Sequence, residues 1–559
     1  MKRLSSSETA RRRPTISPSR LRVGPAGIVA GAAIAAYVAL ATHDIAVPGL
    51  NYDELIQLTP ALAFVKGHLS SEVAVIPKTE LHFLGRDLPL MILPYLGSVK
   101  TIAFLPVAAV AGISAMSVRL FSVAIGALAL LATYLFARRL FVRPAAAAIA
   151  AVLLATDPSF LLYSRVDFSP TVFMLLFKGL ALWLLLDWWR SGRRRSLVLG
   201  CLSLGLGLYD KADFVWIIGA VAVAAFTLGR HRLVRRLLQR EWLLGGAAFL
   251  IGCLPLVVYN LSWPPRTLAG SLEGKLHLRY GSGSGNPAIE LWKRIRLLGR
   301  LLDGERVSRD LGGIAYGRPV LPLAVVAAAV AVGVLYSRRE PRARLRPVCF
   351  VLLCTVFTLA ATALTPGGGG PQHVLLVYPF PHLLVAGALA EAVAFGSARG
   401  SSVARPIVAV VVVILVAAGI WSNQRTMSRL HSTGGSANFS SAIYDLNDYL
   451  LAHDRNHRIV AIDWGIHHSL VGLSQGQISS LDLWLPLNEP ASPRGTLRAE
   501  LTKADYRYVL HSRAETNFQL PRVRFFEFVK DAGKRPQLET AIFTKGGERL
   551  FEVYKVVQP

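Results

Sequence analysis

Two adjacent carboxylates, Asp53 and Glu54, lie in the stretch NYDELIQLTPALAFVKG, just beyond the first long apolar run of the chain. Carboxylates and cations recur at the ends of other apolar runs. DPSFLLYSRVDFSP brings Asp157, Arg165 and Asp167, YDKADF brings Asp210, Lys211 and Asp213, and TPGGGGPQHVLLVYPFP brings Gln372, His373 and Tyr378. Lys100 lies in the same loop as Asp53. A carboxylate at a water boundary can take a proton from a hydroxyl. Cations beside it can hold a phosphate and stabilise the charge that develops as it leaves. Ionisable groups at membrane depth are costly, so each calls for a polar cavity or a mutual pairing. Pairing alone accounts for Arg165 beside Asp167, or for Lys211 between two aspartates, as well as a site does. The whole set on one face favours a site. Its chemistry suits group transfer from a lipid-linked phosphate to an acceptor hydroxyl, with the lipid tail in the membrane and the polar head at its boundary.

The elements that must carry these residues are membrane spans. The chain has 559 residues, 53% hydrophobic and 17% charged, where a soluble protein carries about 25% charged residues. The apolar residues gather in windows long enough to cross a bilayer. Eleven spans are expected, near 24–42, 119–137, 145–163, 167–189, 196–210, 213–229, 241–260, 319–337, 347–365, 373–395 and 406–422. The net charge of +27 sits in basic clusters at about every second gap, from RRRPTISPSRLR to GSARGSSVAR. That is the pattern of cytoplasmic loops, and it excludes a nucleic-acid partner, whose patch would collect on one domain. With the clusters inside, residues 1–23 form a basic cytoplasmic tail, and loops 43–118 and 261–318 and the tail from 423 face outward. Asp53 and Glu54 then stand at the outer boundary of a plasma (inner) membrane. LPLMILPYLGSVKTIAFLPVAAVAG is apolar enough to tempt a twelfth crossing, but that would turn ARRLFVRP and RSGRRR outward, so it reads as interfacial or re-entrant. ALA at 39–41 resembles a cleavage site, although the run before it is long for a signal peptide. Cys201, Cys253, Cys349 and Cys354 fall inside apolar runs with no CxxC spacing and read as small core residues.

NYDELIQLTPALAFVKG resembles the first-loop acidic motif of the GT-C superfamily of lipid-phosphosugar-dependent glycosyltransferases, and among them the protein O-mannosyltransferases and aminoarabinose transferases. PYLGSVKT, SVRLFSV, LLATDPSFLLYSRVDFSP, GLGLYDKADF and QHVLLVYPFPHLLVAGAL follow in those families' order, so the resemblance runs over roughly residues 24 to 420. It implies a GT-C fold and an inverting transfer of a sugar from a polyprenyl-phosphate donor to a protein, lipid or glycan acceptor in the cell envelope. It puts the catalytic base on Asp53 and a second acidic position on Asp167, with Glu54 in support. Adjacent helical side chains diverge by about 100°, so Asp53 and Glu54 should not address one atom. Arg165 and Lys211, then Lys100 and His373, are the candidates for the donor phosphate. Asp210, Asp213 and Tyr378 are candidates for the acceptor or the cavity wall. The sequence departs from the family at YDKADF, whose two acids compete for Lys211, and at the GGGG run, which reads as a loop. No tight ligand spacing such as HExxH appears, no cofactor is implied, and a divalent metal is left open because relatives differ.

ELWKRIRLLGRLL places Leu291, Ile295, Leu298 and Leu302 on one face, with Lys293, Arg294, Arg296 and Arg300 largely off it, which reads as a helix on the lipid surface. Residues 423–559 read as a small α/β domain outside the membrane: a helix at SSAIYDLNDYLLAH, then strands at HRIVAIDW, YRYVLHS, RFFEFVK and ERLFEVYKVV. IDWGIHHSL is expected as a strand, turn and helix. The chain therefore reads as a polytopic α-helical membrane protein with a C-terminal α/β domain. The rival is a lipid or sugar transporter or flippase, which would show paired halves and broken mid-membrane helices.

Overall fold

The structure is a computed structural model and describes residues 24–67, 80–237, 239–261, 266–267, 286–337, 342–365, 370–489 and 494–558. The basic tail 1–23 and most of the glycine run lie outside the described residues. Among those described, nine helices are long and apolar enough to cross a membrane, from Pro25–Thr42 to Ala404–Thr433. A tenth expected span, near 145–163, is a bent pair, Pro144–Thr156 and Pro158–Arg165, broken by 59°. The break has a local cause. Pro158 opens the second helix, where a missing N–H costs nothing, and Asp157 Oδ1 accepts from the Phe160 N–H at 2.7 Å as its cap.

The eleventh expected span is the 17-residue helix Arg194–Asp210, about 25 Å long at 1.5 Å per residue. It packs between Val172–Ser191 and Glu241–Tyr259. A Cβ on Gly205 would stand 2.1 Å from the Phe249 carbonyl oxygen, so glycine is what lets the two backbones approach. The four cysteines are buried and unbridged. The ambiguous apolar stretch forms a small hairpin, β3 (Met91–Leu93) and β4 (Leu96–Gly97), followed by Val99–Ala111, a helix of 13 residues that is too short to span. Before it, β1 (Glu80–Phe83) and β2 (Arg86–Pro89) form a second hairpin.

The C-terminal part holds a five-stranded sheet of β5 (Arg458–Ala461), β6 (Ser480–Asp482), β7 (Tyr506–His511), β8 (Arg535–Phe543) and β9 (Arg549–Val557), in the order β6-β5-β7-β9-β8. β5 pairs parallel with β6 and β7, and β9 runs antiparallel to β7 and β8. Alternate residues serve opposite faces. Ile459, Ala461 and Val509 pack with Leu446 and Leu450 of the helix Ala442–His453, while Val460, Ile462 and Leu510 pack with Phe525 and Val529. RFFEFVK is not the expected strand. It lies within the helix Gln519–Asp531, whose Pro521, Phe525, Phe528 and Val529 are buried at helical spacing. The sequence reading also missed β6 and β8.

The expected lipid-surface helix needs correction as well. Pro287–Leu302 buries Arg294, Leu297, Leu298, Leu301 and Leu302, and leaves Ile295 and Trp292 exposed. The buried set follows the i, i+3, i+4, i+7 rule from Arg294, so this face turns into the protein.

Candidate functional site

Asp53 sits in the four-residue helix Tyr52–Leu55. So short a helix needs its cap. The Asn51 side chain accepts from the Asp53 and Glu54 N–H groups, and Glu54 Oε2 accepts in return from the Asn51 N–H, completing a capping box. The two acids diverge as adjacent helical residues must. Glu54 is fully buried, with its carboxylate held by Arg119: Nε to Oε1 at 3.0 Å and Nη2 to Oε2 at 3.2 Å. Asp53 is only half-buried.

The strap that leads to this helix, residues 43–51, is fastened by two buried arginines. Arg119 also donates to the Ile45 and Gly49 carbonyls, at 2.7 and 3.0 Å. Arg165 donates to the carbonyls of His43, Asp44 and Val47. The structure therefore turns the Arg165 guanidinium onto backbone oxygens, away from a place among the phosphate cations. Arg119, within SVRLFSV, was missed as a site residue. Its partner lies 65 residues away in sequence, so no spacing rule could reveal it.

A second cluster gathers Lys100, Asp167, Asp210, Lys211, Asp213 and His373. Lys100 Nζ is 2.7 Å from Asp167 Oδ2, both fully buried. Asp167 Oδ1 accepts from the Thr171 and Val172 N–H groups at 2.8 and 3.0 Å. This caps the start of the next span and holds Asp167 at φ 39°, a left-handed value that ordinary residues avoid. Lys211 Nζ is 3.6 Å from Asp213 Oδ2, and His373 Nδ1 is 3.1 Å from the same oxygen. Asp210 is buried in the field of both lysines and the other two aspartates, and neither of its oxygens is hydrogen-bonded. Three carboxylates thus face two lysines and a histidine.

Arg294 adds a cation that the sequence reading had placed off the packing face. It is 2% exposed, lies within electrostatic reach of His373, and its nearest carboxylate, Glu290, is 4.0 Å away. Among the described residues, no group of three or more His, Cys, Asp or Glu is arranged to hold a metal.

The hairpin β3–β4 joins the two halves. Tyr52 and Ile56, flanking Asp53, pack on Ile92 and Leu96. Leu96 pairs antiparallel with Lys211, and the Ala212 N–H donates to the Tyr95 carbonyl at 2.9 Å. Gly97 permits this contact. A Cβ there would meet the Tyr209 carbonyl oxygen at 2.2 Å. The Tyr209 hydroxyl is 2.6 Å from Ser98 Oγ and donates to the Leu90 carbonyl at 2.7 Å.

The C-terminal domain closes the other side of the Asp53 helix. Tyr52 packs against Trp464 and His468, with ring centroids 5.1 and 5.3 Å apart. His468 Nδ1 is 2.8 Å from Thr59 Oγ1, and burial holds its imidazole well below the usual range, so it packs as the neutral ring. Tyr378 does not join either cluster. It is wholly buried, its hydroxyl donating to Asp157 Oδ2 at 3.3 Å beside His382 Nε2 at 3.0 Å. These two partners hold the second oxygen of the residue that caps the break, so Tyr378 supports the bent span and is no part of the wall around Asp53.

Residues 103–259 match the model of the family described as dolichyl-phosphate-mannose-protein mannosyltransferase. No curated protein sequence matches the chain. The fold matches the crystal structure of ArnT from Cupriavidus metallidurans bound to undecaprenyl phosphate, with a TM-score of 0.61 at 12% identity, covering 95% of this chain and 98% of that one. The apo form of the same protein matches with a TM-score of 0.55 at 11% identity, over 94% and 97% of the two chains. At such identity the likeness speaks for the fold alone. The architecture is the polytopic membrane fold of that protein.

Proposed function

We propose that this chain transfers a sugar from a polyprenyl-phosphate donor to an acceptor hydroxyl, with inversion, using Asp53 as general base. The observation that carries this reading is the hairpin β3–β4, which ties the half-buried Asp53 helix on one side to Lys211 on the other. Asp53 takes the proton of the acceptor hydroxyl. The oxygen attacks the anomeric carbon, and the bond from that carbon to the phosphate oxygen breaks with its electron pair leaving on the lipid phosphate. Lys211 and Arg294 supply positive charge where the phosphate gains it, and His373 holds Asp213 beside Lys211. Lys100 keeps Asp167 ionised and in place, and Asp210 and Asp213 tune Lys211 and His373 or meet the acceptor. Glu54 and Arg165 position Asp53 through Arg119 and the strap. The basic clusters support an orientation with the N-terminus in the cytoplasm and this chemistry on the outer face.

The test is Asp53→Asn in purified protein reconstituted with a polyprenyl-phosphate sugar. Transfer is expected to be abolished while the protein still inserts and melts as before. Turnover at the parent rate would remove Asp53 from the mechanism.

A further inference from the structure

The ends of helices Pro25–Thr42 and Ala404–Thr433 enclose a groove of about 880 Å³ that shares no lining residue with the clusters described above, apart from the strap residues His43 and Asp44. Its inner wall is apolar, with Leu40, Leu161 and Ile420, and its mouth carries His43, Asp44, Arg425 and His431. Both flanking helices carry bare apolar faces, Ile28, Val29 and Val38 on one and Ile407, Val410 and Val413 on the other. The groove is thus continuous with surface that faces lipid tails.

Arg425, the one arginine or lysine in the lining, is not paired within the mouth. Asp44 is the one carboxylate in the lining, and it is already engaged by His43 at 3.6 Å and His431 at 3.2 Å. Two arginines lie near the ring of Trp421, Arg318 at 4.2 Å and Arg425 at 5.8 Å from its centre. Among the described residues, neither arginine has a carboxylate within ion-pair distance. Tryptophan and arginine together mark the depth of lipid headgroups, and each arginine near a membrane surface attracts anionic lipid.

We propose that this groove is a binding site for an anionic phospholipid of the surrounding bilayer. Its phosphate lies against Arg425 and the histidine pair, and an acyl chain runs along Leu40, Leu161 and Ile420. The groove wall at His43 and Asp44 is the start of the strap that Arg165 fastens and that ends at Asp53, so a bound lipid braces that strap.

The test uses the full chain with a photo-crosslinking residue at exposed position 424, reconstituted in phosphatidylcholine vesicles with or without phosphatidylglycerol. Lipid adducts are expected predominantly with phosphatidylglycerol. Arg425→Gln should reduce them about fivefold, the equivalent of about 1 kcal/mol for one arginine at a lipid surface, with the melting temperature unchanged, whereas Arg318→Gln, outside the lining, should change them far less. Equal adducts with the two lipids, no effect of Arg425→Gln, or displacement of the adduct by a polyprenyl phosphate would each overturn the assignment.

Discussion

Arg119 grips both oxygens of Glu54, at 3.0 and 3.2 Å, with both side chains wholly out of solvent. The same guanidinium holds two carbonyls of the strap. Breaking a buried pair from one side leaves an uncompensated charge and costs about 3–5 kcal/mol. Glu54→Gln is therefore expected to lower the melting temperature of the purified protein strongly. Joint replacement by apolar residues, Glu54→Leu with Arg119→Met, should recover much of that loss but leave transfer abolished, because the strap is then unfastened. Thermal unfolding read beside transfer activity checks both halves.

Lys211 and Arg165 separate by kinetics. In the proposed transfer Lys211→Ala removes a cation from the departing phosphate, and a lost contact of that kind costs about 2–4 kcal/mol of barrier. The expected result is a large fall in kcat/KM together with a lower melting temperature, because Asp210 and Asp213 lose a buried counter-charge. Arg165→Ala should also lower the melting temperature, while the folded remainder keeps the parent KM for donor. Arg294→Ala should behave like Lys211→Ala, with the donor KM rising.

The close approach at Gly97 gives a steric prediction. A methyl group there would collide with the Tyr209 carbonyl, which is backbone and cannot swing aside. Overpacking of this kind costs about 1–3 kcal/mol. Gly97→Ala is expected to part β4 from Lys211, so that the Ala212 amide, now bonded to the Tyr95 carbonyl, exchanges its hydrogen faster. Transfer should fall more steeply than thermal stability.

In the C-terminal sheet, burial pushes the Asp482 carboxyl from its ordinary 3.8 up to about 7, partly opposed by the Trp484 N–H that it accepts. The folded chain thus binds a proton that the unfolded chain has released over the range between about 4 and 7. Stability contributed by this group is present below the lower value and is lost as pH rises through the upper one. With the intrinsic rise of amide exchange with pH divided out, protection at β6 should fall over that window, and Asp482→Asn should remove that fall.

Much of the architecture was legible because apolar length and basic clusters are strong signals. Each of the eleven expected spans contains a helix, and Cys201 and its companions are buried as read. Periodicity failed where a short apolar run fits two templates. RFFEFVK alternates well enough for a strand, yet Phe525, Phe528 and Val529 share a helical face. The candidate site was half-legible. Asp53, Lys100, Asp167 and Lys211 stood out as costly charges, but the partner of Glu54 is set by packing between distant helices. Arg294 looked solvent-facing because a basic side chain was assigned to the polar face, whereas the buried face is wider than the leucine stripe. Arg165 and Tyr378 looked functional for the same reason they are conspicuous: each is a polar group bonded deep inside.

Thr59 and the histidine that covers it are 409 residues apart. At a synthesis rate of about 5–20 residues per second, the first loop waits roughly 20–80 s before residue 468 is made. Through that interval Tyr52 and Thr59 stand uncovered at the membrane surface while the later helices insert. Completion of the wall around the Asp53 helix is therefore among the last events of biogenesis, so a nascent chain halted before the final domain carries that helix uncovered.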